Sequence, residues 1–180
     1  MIILMGLAGS GKSTQGQMLA EKTGRIWLST GQILRDTPDE KIHAILRSGN
    51  LVPDTYVIPL MSEAIQQILA QGKDAVIDGY PRTVAQAEWL AENVAEKIEA
   101  VVKIEVPKPE LLQRMKLRGR ADDRSIKAIE ERFRLVEQSI YAVCDILSAQ
   151  GVPIKTVDGM GAIETVQQRI NQAITEVESE

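Results

Sequence analysis

Short, almost unbroken apolar runs alternate with longer stretches whose apolar residues recur every three or four positions. Five runs favour β-structure: 2–5, 25–29, 75–78, 101–106 and 153–157. They are nearly continuous rather than alternating, which predicts strands buried on both faces of a parallel sheet. The intervening stretches predict helices over 13–22, 41–47, 54–71, 83–97, 109–118 and about 162–177. Gly24, Gly49 and Gly72 end the first three. Pro59 predicts a kink in the third. The clearest periodicity is Ile126, Ile129, Phe133, Val136, Ile140, Val143 and Leu147, a long helix ended by Gly151. Strand–helix alternation of this kind implies an α/β domain with right-handed crossovers. Ligands in such sheets bind beyond the carboxyl ends of the strands, so chemistry is sought there.

The first strand runs directly into Gly6-Leu7-Ala8-Gly9-Ser10-Gly11-Lys12-Ser13-Thr14. This fits the phosphate-loop pattern G-x-x-x-x-G-K-[ST] in full, between a predicted strand and a predicted helix. Gly9, Ser10 and Gly11 let backbone N–H groups turn inward around a phosphate, and the helix start adds its positive dipole end. Lys12 has the reach for β- and γ-phosphates, and the Ser13 or Thr14 hydroxyl for Mg²⁺. A nucleotide triphosphate site follows; the acceptor does not. Asp78 closes the third strand beside that site, where a carboxylate can order Mg²⁺ through water. Arg82 follows in a tight Pro-containing turn, placed to fork onto a phosphate.

Composition narrows the partners. The net charge of −4 and pI of about 5.2 argue against general nucleic-acid binding. One cysteine, Cys144, excludes an internal disulfide, and with the single His43 it cannot build a Cys/His zinc site. Cys144 falls on the apolar face of the long helix, and Trp27 and Trp89 read as core residues. The apolar start is too short for a signal peptide, and no stretch approaches the ~20 apolar residues of a membrane span. A cytoplasmic monomer acting on small molecules is the expectation.

Four further segments carry a resemblance. They are 29–35 (STGQILR), 49–54 (GNLVPD), 78–83 (DGYPRT) with Gln86, and 118–123 (RGRADD) with Arg132. In this order, with the phosphate loop, the chain resembles the adenylate kinases, a family of nucleoside monophosphate kinases. The resemblance covers nearly the whole chain. It implies a three-layer P-loop fold with a five-stranded parallel sheet and a small helical acceptor-binding insert over 30–54. It also implies reversible transfer from Mg·ATP to AMP, giving two ADP. Thr30, Arg35, Asn50, Leu51, Val52, Gly79, Tyr80, Pro81, Arg82 and Gln86 then fall on the acceptor side. Arg35 and Arg82 would hold the acceptor phosphate, and Gln86 would offer the base a donor and an acceptor. Arg118, Arg120 and Arg132 would join Lys12 and Arg82 in stabilising the transferred group. Arg114 would stack on the ATP adenine, with Gly159 and Gly161 in the loop touching it. Asp122 and Asp123 would cap the long helix.

The sequence departs from that family at the lid, at Ser13, in the segment between Thr30 and Leu51, which is a few residues short, and after Asp123, where one extra residue precedes the helix match at Arg132. Only Gly119 separates Arg118 from Arg120, where the family places a lid, so 118–124 reads as a vestige of one. Ser13 stands where the family has glycine. With so little lid, loose selectivity and competing ATP hydrolysis are expected. The alternatives are a UMP/CMP or other monophosphate kinase, and an ATP-dependent assembly or regulatory protein.

Overall fold

The computed structural model describes residues 1–119 and 125–179. Five strands alternate with eight helices among these residues. They are β1 (Ile2–Met5), α1 (Lys12–Thr23), β2 (Ile26–Ser29), α2 (Thr30–Asp36), α3 (Glu40–Ser48), α4 (Asp54–Ala70), β3 (Ala75–Asp78), α5 (Val84–Asn93), β4 (Ala100–Glu105), α6 (Lys108–Arg118), α7 (Ile126–Ala149), β5 (Ile154–Asp158) and α8 (Ile163–Glu178). The strands form one parallel sheet in the order β2-β3-β1-β4-β5. Leu4 and Ser29 both stand opposite Asp78, so the carboxyl ends of β1, β2 and β3 finish together.

Side-chain alternation along the buried strands splits the core into two layers. From β1, Ile3 and Met5 join Val57, Met61 and Ile65 of α4, Leu90 of α5, and Val143 and Leu147 of α7. Ile2 and Leu4 face the other way, onto Leu19 of α1 and Ile170 and Ile174 of α8. Each such side chain contributes about 1.5–3 kcal/mol when fully buried, so both faces of the sheet drive folding. Helices on both faces make the three-layer α/β domain that the resemblance implies. A third cluster joins Leu111 and Met115 of α6 to Ile129 and Phe133 of α7, with Leu7 and Ala8 of the phosphate loop against it. Cys144 lies half-buried beside the first core, and burial pushes its thiol pKa up. No helix of the described residues is long and apolar enough to cross a membrane.

Element boundaries fall within about two residues of expectation except at α5 and α2. The helix predicted over 83–97 stops at Asn93, because Val94 (φ −145°) leaves the helical region; a 3-10 turn, Ala95–Lys97, follows. Helix α4 continues through Pro59 as one element. Thr55 and Pro59 are exposed, so water is at hand for the carbonyl that loses its helical donor. Helix α2 has no periodic signal, with only Ile33 and Leu34 apolar in seven residues. It starts directly from β2, capped by the Ser29 hydroxyl, which accepts from the Gln32 N–H.

Candidate active site

The phosphate loop takes its shape from glycine. Gly6 has φ +145°, and a Cβ there would lie 2.6 Å from the Ile104 carbonyl oxygen of β4. Gly11 has φ +94° at the N-cap of α1, a conformation that L side chains rarely adopt. The turn delivers Lys12 into a nearly closed setting, 8% exposed. Its Nζ donates to the Leu7 carbonyl at 2.8 Å and lies 3.4 Å from Ser10 Oγ. Burial pushes the Lys12 pKa down to about 8, with Asp78 opposing and Arg82 and Arg118 reinforcing the shift. Relative to its ordinary value of 10.5, the charged amine is disfavoured by roughly 3 kcal/mol. An incoming phosphate therefore meets a cation that the fold holds at a cost. Ser13 Oγ donates to Asp78 Oδ2 at 2.6 Å, while Thr14 is exposed.

Across the carboxyl ends of β2 and β3 the acceptor-side residues sit at two depths. Arg35 is exposed on α2, where its guanidinium donates to Gln32 Oε1 at 3.1 Å. Arg82 folds back over its own turn, Nε donating to the Gly79 carbonyl at 2.8 Å. The Tyr80–Pro81 bond in that turn is cis. Gln86 lies deeper, 3% exposed. Its Oε1 accepts from the Arg82 N–H at 2.7 Å and its Nε2 donates to Asp54 Oδ1 at 2.7 Å. Thr83 Oγ1 donates to Asp54 Oδ2 at 2.9 Å and caps α5. The network joins the start of α4, the Arg82 turn and the start of α5.

A cavity of about 590 Å³ connects the two sides. The loop from Gly6 to Gln15 lines one wall. Arg35, Asn50, Leu51, Val52 and Arg82 line another, and Arg118, Arg132, Phe133 and Val136 a third. At one end Arg114 donates to the Gly159 carbonyl at 3.3 Å and, through Nε, to Glu110 at 2.7 Å. Gly159 and Gly161 complete that end. A phosphate loop and five arginines (Arg35, Arg82, Arg114, Arg118 and Arg132) thus line one space, which suits a site that brings two phosphate-bearing ligands together.

The family model for adenylate kinase matches residues 4–177 of the chain. The chain belongs to the adenylate kinase family. It is 36% identical to the adenylate kinase of Thermus thermophilus over 186 residues, covering 96% of each chain. It is 35% identical to the Mycobacterium sp. (strain MCS) adenylate kinase, covering 96% of this chain and 98% of the other. Identity to the adenylate kinase of Maricaulis maris is also 35%, with 97% and 98% covered. As a member of the adenylate kinase family, the chain is a nucleoside monophosphate kinase.

Most residues singled out from the sequence reach the cavity, but several do not. Thr30, Gly79, Tyr80, Pro81 and Gln86 stand behind its wall and are buried. Thr30 Oγ1 donates to the Asp78 carbonyl at 3.3 Å. Tyr80 is fully buried among core residues, and burial, with Asp54 nearby, raises its pKa. Gln86 keeps an N–H and a lone pair beyond its two bonds, yet meeting a base requires the wall to open. Arg120, Asp122 and Asp123 lie outside the described residues. Two participants were missed. Asp54 had a signal: Thr83-Val84-Ala85-Gln86 is a capping-box sequence, whose glutamine turns back on the chain. Here it reaches the Arg82 N–H and brings Asp54 with it. Glu110, which orients Arg114, is its i−4 neighbour on α6.

Proposed function

We propose that this adenylate kinase family member transfers the terminal phosphoryl group of Mg·ATP to AMP, reversibly, giving two ADP. The observation that carries the reading is the single cavity shared by the phosphate loop and the acceptor-side arginines. Lys12 and the inward N–H groups of residues 9–14 hold the donor phosphates. Arg114 and the loop bearing Gly161 take the donor base, and Leu51 and Val52 give apolar contact to the acceptor base. Arg35 and Arg82 grip the acceptor phosphate, and Arg118 and Arg132 neutralise charge that spreads over the transferred group. Arg120 belongs to this set by resemblance. No covalent enzyme intermediate is needed; alignment and charge supply the catalysis.

The donor set for a divalent cation fits Mg²⁺. Ser13 Oγ and Asp78 Oδ2, 2.6 Å apart at the loop, are hard oxygens that would hold it, Asp78 through water. Thr14 lies beside them on the cavity wall. Bound there, Mg²⁺ would supply positive charge at the donor phosphate oxygens. Residues 30–54 serve as the acceptor-binding insert and 118–124 as a shortened lid. A monomer working in the cytoplasm completes the proposal.

Chromatography of reactions with Mg·ATP and, in turn, AMP, CMP, UMP, GMP and dTMP tests it. Two ADP formed per AMP consumed, with little ATP loss when AMP is absent, is the expected result. Preferential phosphorylation of another monophosphate would move the acceptor assignment. ATP loss with no phosphorylated acceptor would overturn the transfer itself.

A further inference from the structure

The peptide units around Arg82 are held by side chains at both ends. The N–H of Arg82 donates to Gln86 Oε1, and its carbonyl accepts from Ser139 Oγ of α7 at 2.6 Å. A helical serine ordinarily bonds back to its own preceding turn. Ser139 has those acceptors available, the Leu135 and Val136 carbonyls, both at 3.2 Å. The inter-element contact is the shortest of the three. Seven residues earlier on α7, two turns back along the same face, stands Arg132, on the cavity wall. One helix therefore carries one arginine of the site and grips the backbone of another.

We propose that Ser139 is a positioning residue for phosphoryl transfer: it fixes the Arg82 turn in register with Arg132. The proposal rests on the assignment of Arg82 to the acceptor phosphate. The Arg82 guanidinium is bonded to the Gly79 carbonyl of the same turn, so a shift of the backbone over 79–82 moves one of its anchors. Releasing the carbonyl loosens that turn from α7. In a reaction catalysed by alignment, a displacement of ~1 Å costs up to ~10²-fold in rate.

The test compares Ser139→Thr with Ser139→Val, which match in shape and differ in the hydroxyl. Both are made in the native and the Arg82→Ala backgrounds. Steady-state kcat and KM for AMP, the Kd for ATP and the melting temperature are measured for each. Ser139→Thr is expected to stay near the native rate. Ser139→Val should lower kcat/KM for AMP about tenfold and leave the ATP Kd in place. In the Arg82→Ala background Thr and Val should be indistinguishable, because the residue they position is gone. An equal Val defect in both backgrounds would overturn the proposal in favour of a general packing role. Equal kinetics of Thr and Val in the native background would overturn it outright. Should Arg82→Ala itself leave kcat/KM for AMP unchanged, the underlying assignment fails and takes the proposal with it; that result is separate from the Ser139 comparison.

Discussion

The donor and acceptor walls of the cavity are built in different ways. The donor-phosphate wall is one continuous stretch, Gly6 to Gln15, with every residue on the cavity. Its geometry comes from backbone angles at glycines and from Lys12 satisfied by its own loop. The acceptor wall is gathered from separate segments. Its arginines, Arg35 and Arg82, rely on side-chain struts, and much of its characteristic sequence lies buried behind the surface. A site made of local backbone is present before ligand arrives. A site made of distant side chains depends on the elements that carry them.

The largest effect that sharpens this contrast is at Lys12. Lys12→Met should lower kcat by about 10³-fold or more, with the melting temperature unchanged or raised, since a buried cation is removed. A coupled ADP assay and a thermal melt check both; a retained rate would break the donor side of the comparison. Gln86→Leu comes next. It leaves the Arg82 N–H and one Asp54 oxygen without their partner, which costs about 1–3 kcal/mol. For a chain of this length that is a fall in melting temperature of roughly 3–10 °C. If stability holds while preference for AMP over CMP and UMP collapses, Gln86 reads the base and does not act as a strut.

A pH titration separates the walls without mutation. Above pH about 8 Lys12 loses its proton, so ATP binding should weaken by up to about tenfold per pH unit. AMP affinity should fall less over the same step. Folding responds with the opposite sign. Between about 8 and 10.5 the unfolded chain binds more protons at Lys12 than the folded one, so this residue adds stability as pH rises through that window. Binding by calorimetry at pH 7.5 and 9 and melts at the same values read both slopes; parallel loss for ATP and AMP would remove the distinction. The smallest effect is at Arg35, whose guanidinium is exposed. Arg35→Ala should raise the KM for AMP several-fold and leave that for ATP unchanged. An equal rise for ATP would place Arg35 on the donor phosphates.

What was legible in the sequence follows the same division. The phosphate loop could be read residue by residue because its contacts are local: a glycine's φ and a lysine's reach are decided within a few bonds. All five strands and the amphipathic α7 were legible to within about two residues, since burial on both faces or on one stripe leaves a period in the chain. Helix α2 was not, because seven residues with two apolar positions carry no period. Gln86 was legible as an amide but not in its setting, because only the approach of α4 to α5 brings Asp54 within 2.7 Å.

By itself the sequence determined the α/β alternation, the phosphate loop and the membership of the family, each of them a property of neighbouring residues or of motif order. The tertiary structure decided which acceptor-side residues face the cavity and which brace it, and that Ser139 of α7 meets the carbonyl of Arg82. Those outcomes depend on how helices far apart in the chain come to rest on one sheet, and burial energy summed over two whole cores sets that placement.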